Sequence, residues 1–476
     1  MKEKLKKISI ILFWLALWQI AAVWVDNDIL LAGPAAVGKT LMGLLVTADF
    51  YRICLASVCR ILWGFCLAFL TGAALGALSY RFPSVREISE PMLSVMKSIP
   101  VASFVVLLLI WQGAGNLSVW ISFFVVFPNA CVSTRSGLEA VEPGLKEMAE
   151  VFDIRGFRKA VYIYRPCLMR FLLSGMEISI GMAFKSGVAA EVIGVPDLSI
   201  GERIYVSKIY LDTPGLFAWT FSLILLSYLV EKLLLQVMRL LARPAGEVHM
   251  QMHKRQNRKW RKQKQNRKSE EIQPASGYIS VSHVSKSFGK KKVLCDVNAR
   301  LTRGECYLLM APSGSGKTTL MRIMSGLEQA DEGQIKVEPG EERESIGKLP
   351  VSYLFQEDRL LENEFTITNI MLTTKEPRDL AGKLQEILPE ACLKQPVSAL
   401  SGGMKRRCAL ARAMFSRMDD PDTVCLLDEP FAGLDDATRE RTAAFIRKYL
   451  NGRTLIVATH DEQDADLLGG TIWRIA

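Results

Sequence analysis

The stretch Cys306-Tyr307-Leu308-Leu309-Met310-Ala311-Pro312-Ser313-Gly314-Ser315-Gly316-Lys317-Thr318-Thr319-Leu320 decides the fold of this 476-residue chain. An apolar β-type run, Cys306–Met310, enters a Gly/Ser turn, and a helical pattern leaves it over Leu320–Leu327. Backbone N–H groups in a loop ahead of a helix N-terminus converge on an anion, and the helix dipole adds to their attraction. The amides of Ser313, Gly314, Ser315 and Gly316 can therefore wrap phosphate groups. Lys317 then reaches the β/γ oxygens, Thr318 turns to a Mg²⁺ ion, and Thr319 completes the loop. The literal pattern G-x-x-x-x-G-K-[ST] asks for glycine at position 311. Alanine there is a tolerated change provided its φ is negative.

The literal pattern occurs once, elsewhere, as Gly33-Pro34-Ala35-Ala36-Val37-Gly38-Lys39-Thr40. It follows an apolar segment rather than a strand, and no acidic strand end accompanies it, so it reads as an accidental match. The loop at 311–319 does have its acidic companion in Val424-Cys425-Leu426-Leu427-Asp428-Glu429. Asp428 suits the Mg²⁺ shell, and Glu429 can align and deprotonate a water for in-line attack on a γ-phosphate. Short β-rich runs at Cys306–Met310, Val351–Phe355, Thr423–Leu427 and Thr454–Ala458 alternate with helical stretches, which predicts an α/β domain with a largely parallel sheet over 276–476.

The rest of the chain has a different character. Half of all residues are hydrophobic, with a mean hydropathy of +0.18, too apolar for a disordered chain. From Ile8 to Val25 an 18-residue, mostly apolar run carries Gln19 and Ser9 as its polar residues, enough to cross a hydrocarbon core of about 30 Å. It reads as an uncleaved first span rather than a signal peptide. Further apolar stretches near 61–80, 95–112, 117–134, 168–190 and 215–238 predict a six-helix transmembrane domain over 1–245. With both ends inside, the inner segments hold thirteen Lys and Arg and the outer loops four, Lys39, Arg52, Arg203 and Lys208, which orients the spans. The longest inner loop, about 135–167, is polar and helical in pattern and can present a helix to a partner.

Between the two domains, residues 246–275 form a basic linker. Nine Lys and Arg and no acidic residue lie within 248–269, so a formal net charge of +10 leaves the rest of the chain at +1. Placed just after a cytoplasmic helix end, the tract predicts contact with anionic membrane lipids rather than nucleic acid. Ten cysteines without a CxxC pair and only four histidines indicate neither a disulfide framework nor a zinc site. Lys185 near the edge of the fifth span has two readings: an anion-attracting residue on a solute path, or a lysine that snorkels or pairs with Glu191.

At Leu400-Ser401-Gly402-Gly403-Met404 the second half resembles the signature of ATP-binding cassette (ABC) ATPases, with Met404 where Gln is commonest. The resemblance extends in order over 278–476. It implies adenine stacking by Phe288, a Mg²⁺-sensing and membrane-coupling role for Gln356 in Tyr353-Leu354-Phe355-Gln356, and a dimer-contact loop at Asp435. It also implies a γ-phosphate switch at His460. In that family two cassettes sandwich ATP, so Ser401, Gly402 and Gly403 of one copy meet nucleotide held by the other. One set of motifs per chain then implies a homodimer.

The first half has a relative too. Glu147-Met148-Ala149 with Ile163 and Pro166 resembles the cytoplasmic coupling loop of bacterial ABC importer permeases, with Met148, Asp153 and Arg165 in place of Ala, Gly and Leu. Residues Ser174–Ile178 and Ala189–Glu191 are similar to permeases for nitrate, taurine and alkanesulfonates. The resemblances imply a fused permease and ATPase in the bacterial inner membrane. Such a protein would import a small solute delivered by an extracytoplasmic binding protein. A vitamin precursor or another small organic molecule is the alternative cargo. Export is the alternative direction, although exporter helices usually run far into the cytosol and need more than the roughly 245 residues available. A mechanotransducing ATPase would need a large external domain, and a soluble DNA-repair ATPase would not need the spans.

Overall fold

The computed structural model describes residues 2–243, 277–312, 314–339, 349–374 and 380–475. The basic tract within 246–275, and Ser313 of the phosphate loop, lie outside the described residues. The chain forms two units, Met1–Ala140 with Cys167–Arg243, and Val141–Pro166 with Pro244–Ala476.

In the second unit, β3 (Cys306–Met310), β5 (Val351–Leu354), β6 (Val424–Asp428), β7 (Thr454–Thr459) and β8 (Thr471–Arg474) build one sheet in the order β5-β6-β7-β3-β8. All its pairings are parallel. Parallel strands are covered on both faces, and β5, β6 and β7 are buried at every residue. The four strands read from the sequence are thus present within a residue or two of their expected ends. A second, three-stranded antiparallel sheet was not anticipated. It has the order β2-β1-β4, with β1 Gly277–Phe288, β2 Lys291–Thr302 and β4 Glu332–Pro339. Its strands carry few consecutive apolar residues, because they bury alternate positions such as Ile279 and Val281.

Register positions the site. Met310 at the end of β3 pairs with Thr459 of β7, and Asp428 at the end of β6 pairs with Ala458. The carboxyl ends of three adjacent strands therefore bring the 311–319 loop, Asp428-Glu429 and His460 to one edge, where open α/β sheets bind ligands.

The first unit is helical: α1 (Lys2–Val25), α2 (Pro34–Leu45), α3 (Ala48–Arg81), α4 (Pro83–Ser98), α5 (Val101–Gln112) and α6 (Leu117–Glu139). The 141–166 segment carries α7 (Pro143–Val151) and α8 (Gly156–Lys159), and α9 (Arg165–Gly194), α10 (Ile200–Ile209) and α11 (Thr213–Leu241) follow. Four of the described helices are long and apolar enough to cross a membrane, or five if the bent pair α4–α5 is one span. The expected count of six is not reached on this criterion, because the described apolar part of the first helix, Leu12–Val25, is too short. The pair bends by 102° at Ile99-Pro100. Pro100 forces Ile99 out of the helical region, to ψ 125°.

The literal phosphate-loop match is helical from Pro34 onward: Val37 N–H bonds the Gly33 carbonyl and Thr40 Oγ1 the Ala36 carbonyl. From Val37 onward its amides are used up inside α2. Glu191 is fully buried and takes Ser57 Oγ at 2.8 Å and Arg60 Nε at 3.4 Å. It does not pair with Lys185, which is exposed.

Helices α3 and α6 pack through small residues at four-residue spacing, Gly64, Ala68, Gly72 and Gly76. A Cβ on Gly64 would lie 2.1 Å from the Val119 carbonyl oxygen, and one on Gly76 2.4 Å from that of Cys131. Small residues allow such backbone approach where lipid supplies no hydrophobic drive. Gly76→Ile is expected to force the helices apart and lower the melting temperature in detergent, the usual cost of overpacking being about 1–3 kcal/mol. Gly38→Ala, where a Cβ meets nothing within 4 Å, should leave it unchanged.

Candidate functional site

The loop ahead of α12 (Lys317–Met324) turns at two glycines in the left-handed region, Gly314 at φ +81° and Gly316 at φ +94°. At Gly316 a Cβ would also meet Leu294 Cδ2 at 2.7 Å and the Val293 carbonyl oxygen at 2.9 Å, so glycine is required twice over. Ala311 is not among the positive-φ residues, which explains why the chain tolerates alanine there. Lys317 Nζ donates to the Ala311 carbonyl at 2.5 Å and that of Pro312 at 3.2 Å. Ser315 Oγ is buried with no hydrogen-bond partner among the described residues, as fits a loop whose acceptor is an anionic ligand.

Thr318 Oγ1 donates to Asp428 Oδ2 at 2.9 Å. Burial raises the Asp428 carboxyl above its ordinary range, opposed by the Thr318 hydrogen bond and the Arg406 and Lys317 charges. A hydroxyl beside a carboxylate is the hard-oxygen chemistry that Mg²⁺ takes, so these residues fit that ion. The Gln356 side chain is exposed and makes no hydrogen bond among the described residues; its carbonyl is held by Arg406 Nη1 at 3.1 Å.

Glu429, next after Asp428, sits at φ +50°, a conformation that costs a non-glycine residue about 1–2 kcal/mol. Its N–H donates to the Ala458 carbonyl at 2.9 Å and its carbonyl accepts Arg406 Nη2 at 3.0 Å. The His460 ring stands 3.8 Å from its carboxylate. Arg406 was missed by sequence reasoning. It is buried, and one guanidinium serves the carbonyls of Phe355, Gln356, Asp428 and Glu429 and the Asp358 carboxylate. The available signal was the basic run Lys405-Arg406-Arg407 in the first turns of helix α13 (Gly402–Phe415), whose residues 408–415, Arg412 included, are all buried.

Ser401 caps α13, its Oγ accepting the Met404 N–H at 3.4 Å. Gly402 is exposed, and no hydrogen bond joins 401–403 to 311–319 among the described residues. Asp435 stands at the N-cap position of α14 (Asp436–Leu450) and is exposed; the Thr438 hydroxyl holds its carboxyl below the usual range. Phe288 ends β1 half-exposed, with Lys286 Nζ 5.4 Å from its ring centroid.

Within the same unit, the 141–166 segment is tied to the loop's own helix. Arg322 of α12 grips Glu147 with both terminal nitrogens, at 2.8 and 2.9 Å, and Arg359 adds a third bond at 2.6 Å. Bidentate guanidinium–carboxylate bonds are the strong, oriented kind. Gly144 gives Arg359 room, since a Cβ there would lie 3.2 Å from Nε. Asp153 adopts φ +56°, so a left-handed residue stands where the permease pattern has glycine; Asp is among the few side chains that accept it.

Residues 294–432 match the family model described as "ABC transporter", and residues 64–243 match "Binding-protein-dependent transport system inner membrane component". Over 201 residues the chain is 35% identical to the aliphatic sulfonates import ATP-binding protein SsuB 1 of Shouchella clausii, covering 41% of this chain and 76% of that protein. The chain belongs to the ABC transporter family. It is also 35% identical to the sulfate/thiosulfate import ATP-binding protein CysA of Halalkalibacterium halodurans, over 39% of this chain and 56% of that protein. It is 36% identical to the Nod factor export ATP-binding protein I of Sinorhizobium fredii, over 40% and 57% respectively. Of these last two proteins it spans little more than half. The chain joins an ATP-hydrolysing cassette to a permease domain and is a cell-membrane protein with its ATPase in the cytoplasm.

Ala311→Gly should leave the KM for ATP within about twofold, whereas Gly316→Ala, strained in φ and in space, should weaken ATP binding about tenfold or more, as a 1.4 kcal/mol penalty would; nucleotide titration checks both. The Arg322 hydrogen bonds, then those of Arg359, hold Glu147 down to about 2 from an ordinary 4.5. A depressed carboxylate stabilises fully above its unfolded value, so this contribution is complete above 4.5 and disappears as pH falls towards 2. Acid unfolding of Glu147→Gln should be correspondingly less steep across that window.

Proposed function

We propose that this chain is an importer in which ATP hydrolysis drives a small solute across the membrane, working as a homodimer of fused permease–ATPase subunits. The single observation that carries the reading is Glu147, gripped by Arg322 of the phosphate-loop helix and by Arg359, three residues past Gln356. A rearrangement of either cassette segment on nucleotide binding therefore pulls on α7. Alternating access follows if closure of two cassettes and their release after hydrolysis switch the permease between two states. One copy of each cassette motif per chain supports the dimer, with Ser401, Gly402 and Gly403 reaching nucleotide held by the second copy and Asp435 at the contact.

In the proposed chemistry, Ser313, Gly314, Ser315, Gly316 and Thr319 bind the phosphates, Lys317 neutralises them, and Phe288 stacks on adenine. Thr318, Asp428 and Gln356 would hold Mg²⁺, which supplies charge neutralisation at the β/γ oxygens. Glu429 takes the proton of the attacking water, and His460 contacts the γ-phosphate. Six spans are proposed by counting α1 and the bent pair α4–α5 with the four long helices. The basic tract is proposed to rest on anionic lipid.

The importer-type permease model supports uptake with the help of an extracytoplasmic binding protein, and relatives that import sulfonates and sulfate support a small anionic cargo. Vesicles holding the full chain test this with labelled sulfonate, sulfate or vitamin precursor offered on one side. ATP-dependent uptake with one of the anions is expected, and efflux alone would refute the reading. Glu429→Gln should retain ATP while turnover falls by about 10²–10⁴-fold, the range of a lost general base. Glu147→Ala should hydrolyse ATP with little transport.

A further inference from the structure

The His460 side chain is 78% exposed, and among the described residues no hydrogen bond reaches its ring. Its Nδ1 lies 3.8 Å from Glu429 Oε1, beyond hydrogen-bond range. A ring with no partner of its own is placed only by its backbone, so whatever fixes residues 459 and 461 fixes the point from which the ring reaches towards Glu429. Thr459 Oγ1 donates to Asp464 Oδ2 at 2.5 Å and accepts the Asp461 N–H at 3.2 Å. The two carboxylates of this turn then converge on one cation. Arg439 Nε donates to Asp464 Oδ1 at 3.0 Å, and its Nη2 donates to both Asp461 and Asp464.

Arg439 belongs to the first turn of α14. Its N–H bonds the Asp435 carbonyl at 2.8 Å, and its guanidinium stands 5.7 Å from the ring centroid of Phe431, two residues past Glu429. One side chain thus touches the turn that carries His460 and the segment that follows Glu429, while its backbone continues the loop of Asp435. Without the cation, Asp461 and the buried Asp464 would face each other uncompensated, and the turn would open.

We propose that Arg439 is a positioning residue for ATP hydrolysis, which holds the 459–464 turn so that His460 faces Glu429. The inference rests on the reading of His460 as the γ-phosphate switch. The guanidinium fork serves two carboxylates at once, and lysine supplies the same charge without that planar geometry.

The test is steady-state and single-turnover ATP hydrolysis by the full chain in lipid, for Arg439→Gln, Arg439→Lys, His460→Ala and the double variant Arg439→Gln/His460→Ala. The expected result is a fall in kcat of about tenfold or more for Arg439→Gln with KM for ATP within about twofold, since substrate contacts are untouched. Arg439→Lys should recover part of the loss, and Arg439→Gln should add less than about twofold to the loss caused by His460→Ala. Unchanged kcat, a loss confined to KM, or full multiplicative loss in the double variant would overturn the proposal. So would a fall in kcat that only tracks a lower melting temperature and that lysine does not rescue. If His460→Ala hydrolyses ATP at full rate, the switch reading fails and takes the inference with it.

Discussion

Parallel pairing of β3, β7 and β6 is the constraint on which the rest of the second unit depends. Because Met310 lies opposite Thr459 and Asp428 opposite Ala458, three strands end abreast and each releases a functional segment at the same edge. A one-residue slip would turn every side chain of a strand to the other face, and β5, β6 and β7, buried at every residue, leave no exposed position at which such a slip could be accommodated. The core thereby sets the spacing between the phosphate loop, Asp428 and His460 before any ligand arrives.

Precision at that edge comes from buried or half-buried arginines that bind carbonyls and carboxylates of several segments together. Arg406 holds four carbonyls around Gln356 and Glu429, Arg439 holds the turn of His460, and Arg322 with Arg359 holds Glu147. Hydrogen bonds to charged groups are worth about 1.5–3 kcal/mol each net, enough to offset the left-handed backbone of Glu429. Strain of this kind persists where the surroundings over-determine a residue. Glu429 meets that condition, with its N–H and C=O both tied to other elements.

The 141–166 segment shows how a departure from a family pattern can keep the geometry. Asp153 replaces glycine yet keeps the left-handed turn, and Met148, in place of alanine, is buried. The part of the pattern that meets the cassette helix, Glu147, is unchanged. In the first unit the same economy of side chains operates differently, since α3 and α6 meet through Gly64, Ala68, Gly72 and Gly76 rather than through large residues.

The local chemistry was written in the residues themselves. Cys306–Met310 followed by Gly314 and Gly316 read as a strand, a Gly/Ser turn and a helix start, and Val424–Leu427 ending in Asp428-Glu429 announced its own acidic end. The α/β character of the cassette and the apolar character of the first half were equally plain, because burial demands those periodicities. What the residues could not disclose were pairings between distant positions. The second sheet was hidden by its alternating burial; the bend at Ile99-Pro100 removed one uninterrupted span; Glu191 found Ser57 and Arg60 rather than Lys185. Arg406, Arg439, Arg322 and Arg359 look like ordinary surface charges in one dimension. Their roles depend on which carbonyls and carboxylates the folded chain brings within 3 Å or so of a guanidinium, and that is a property of tertiary packing alone.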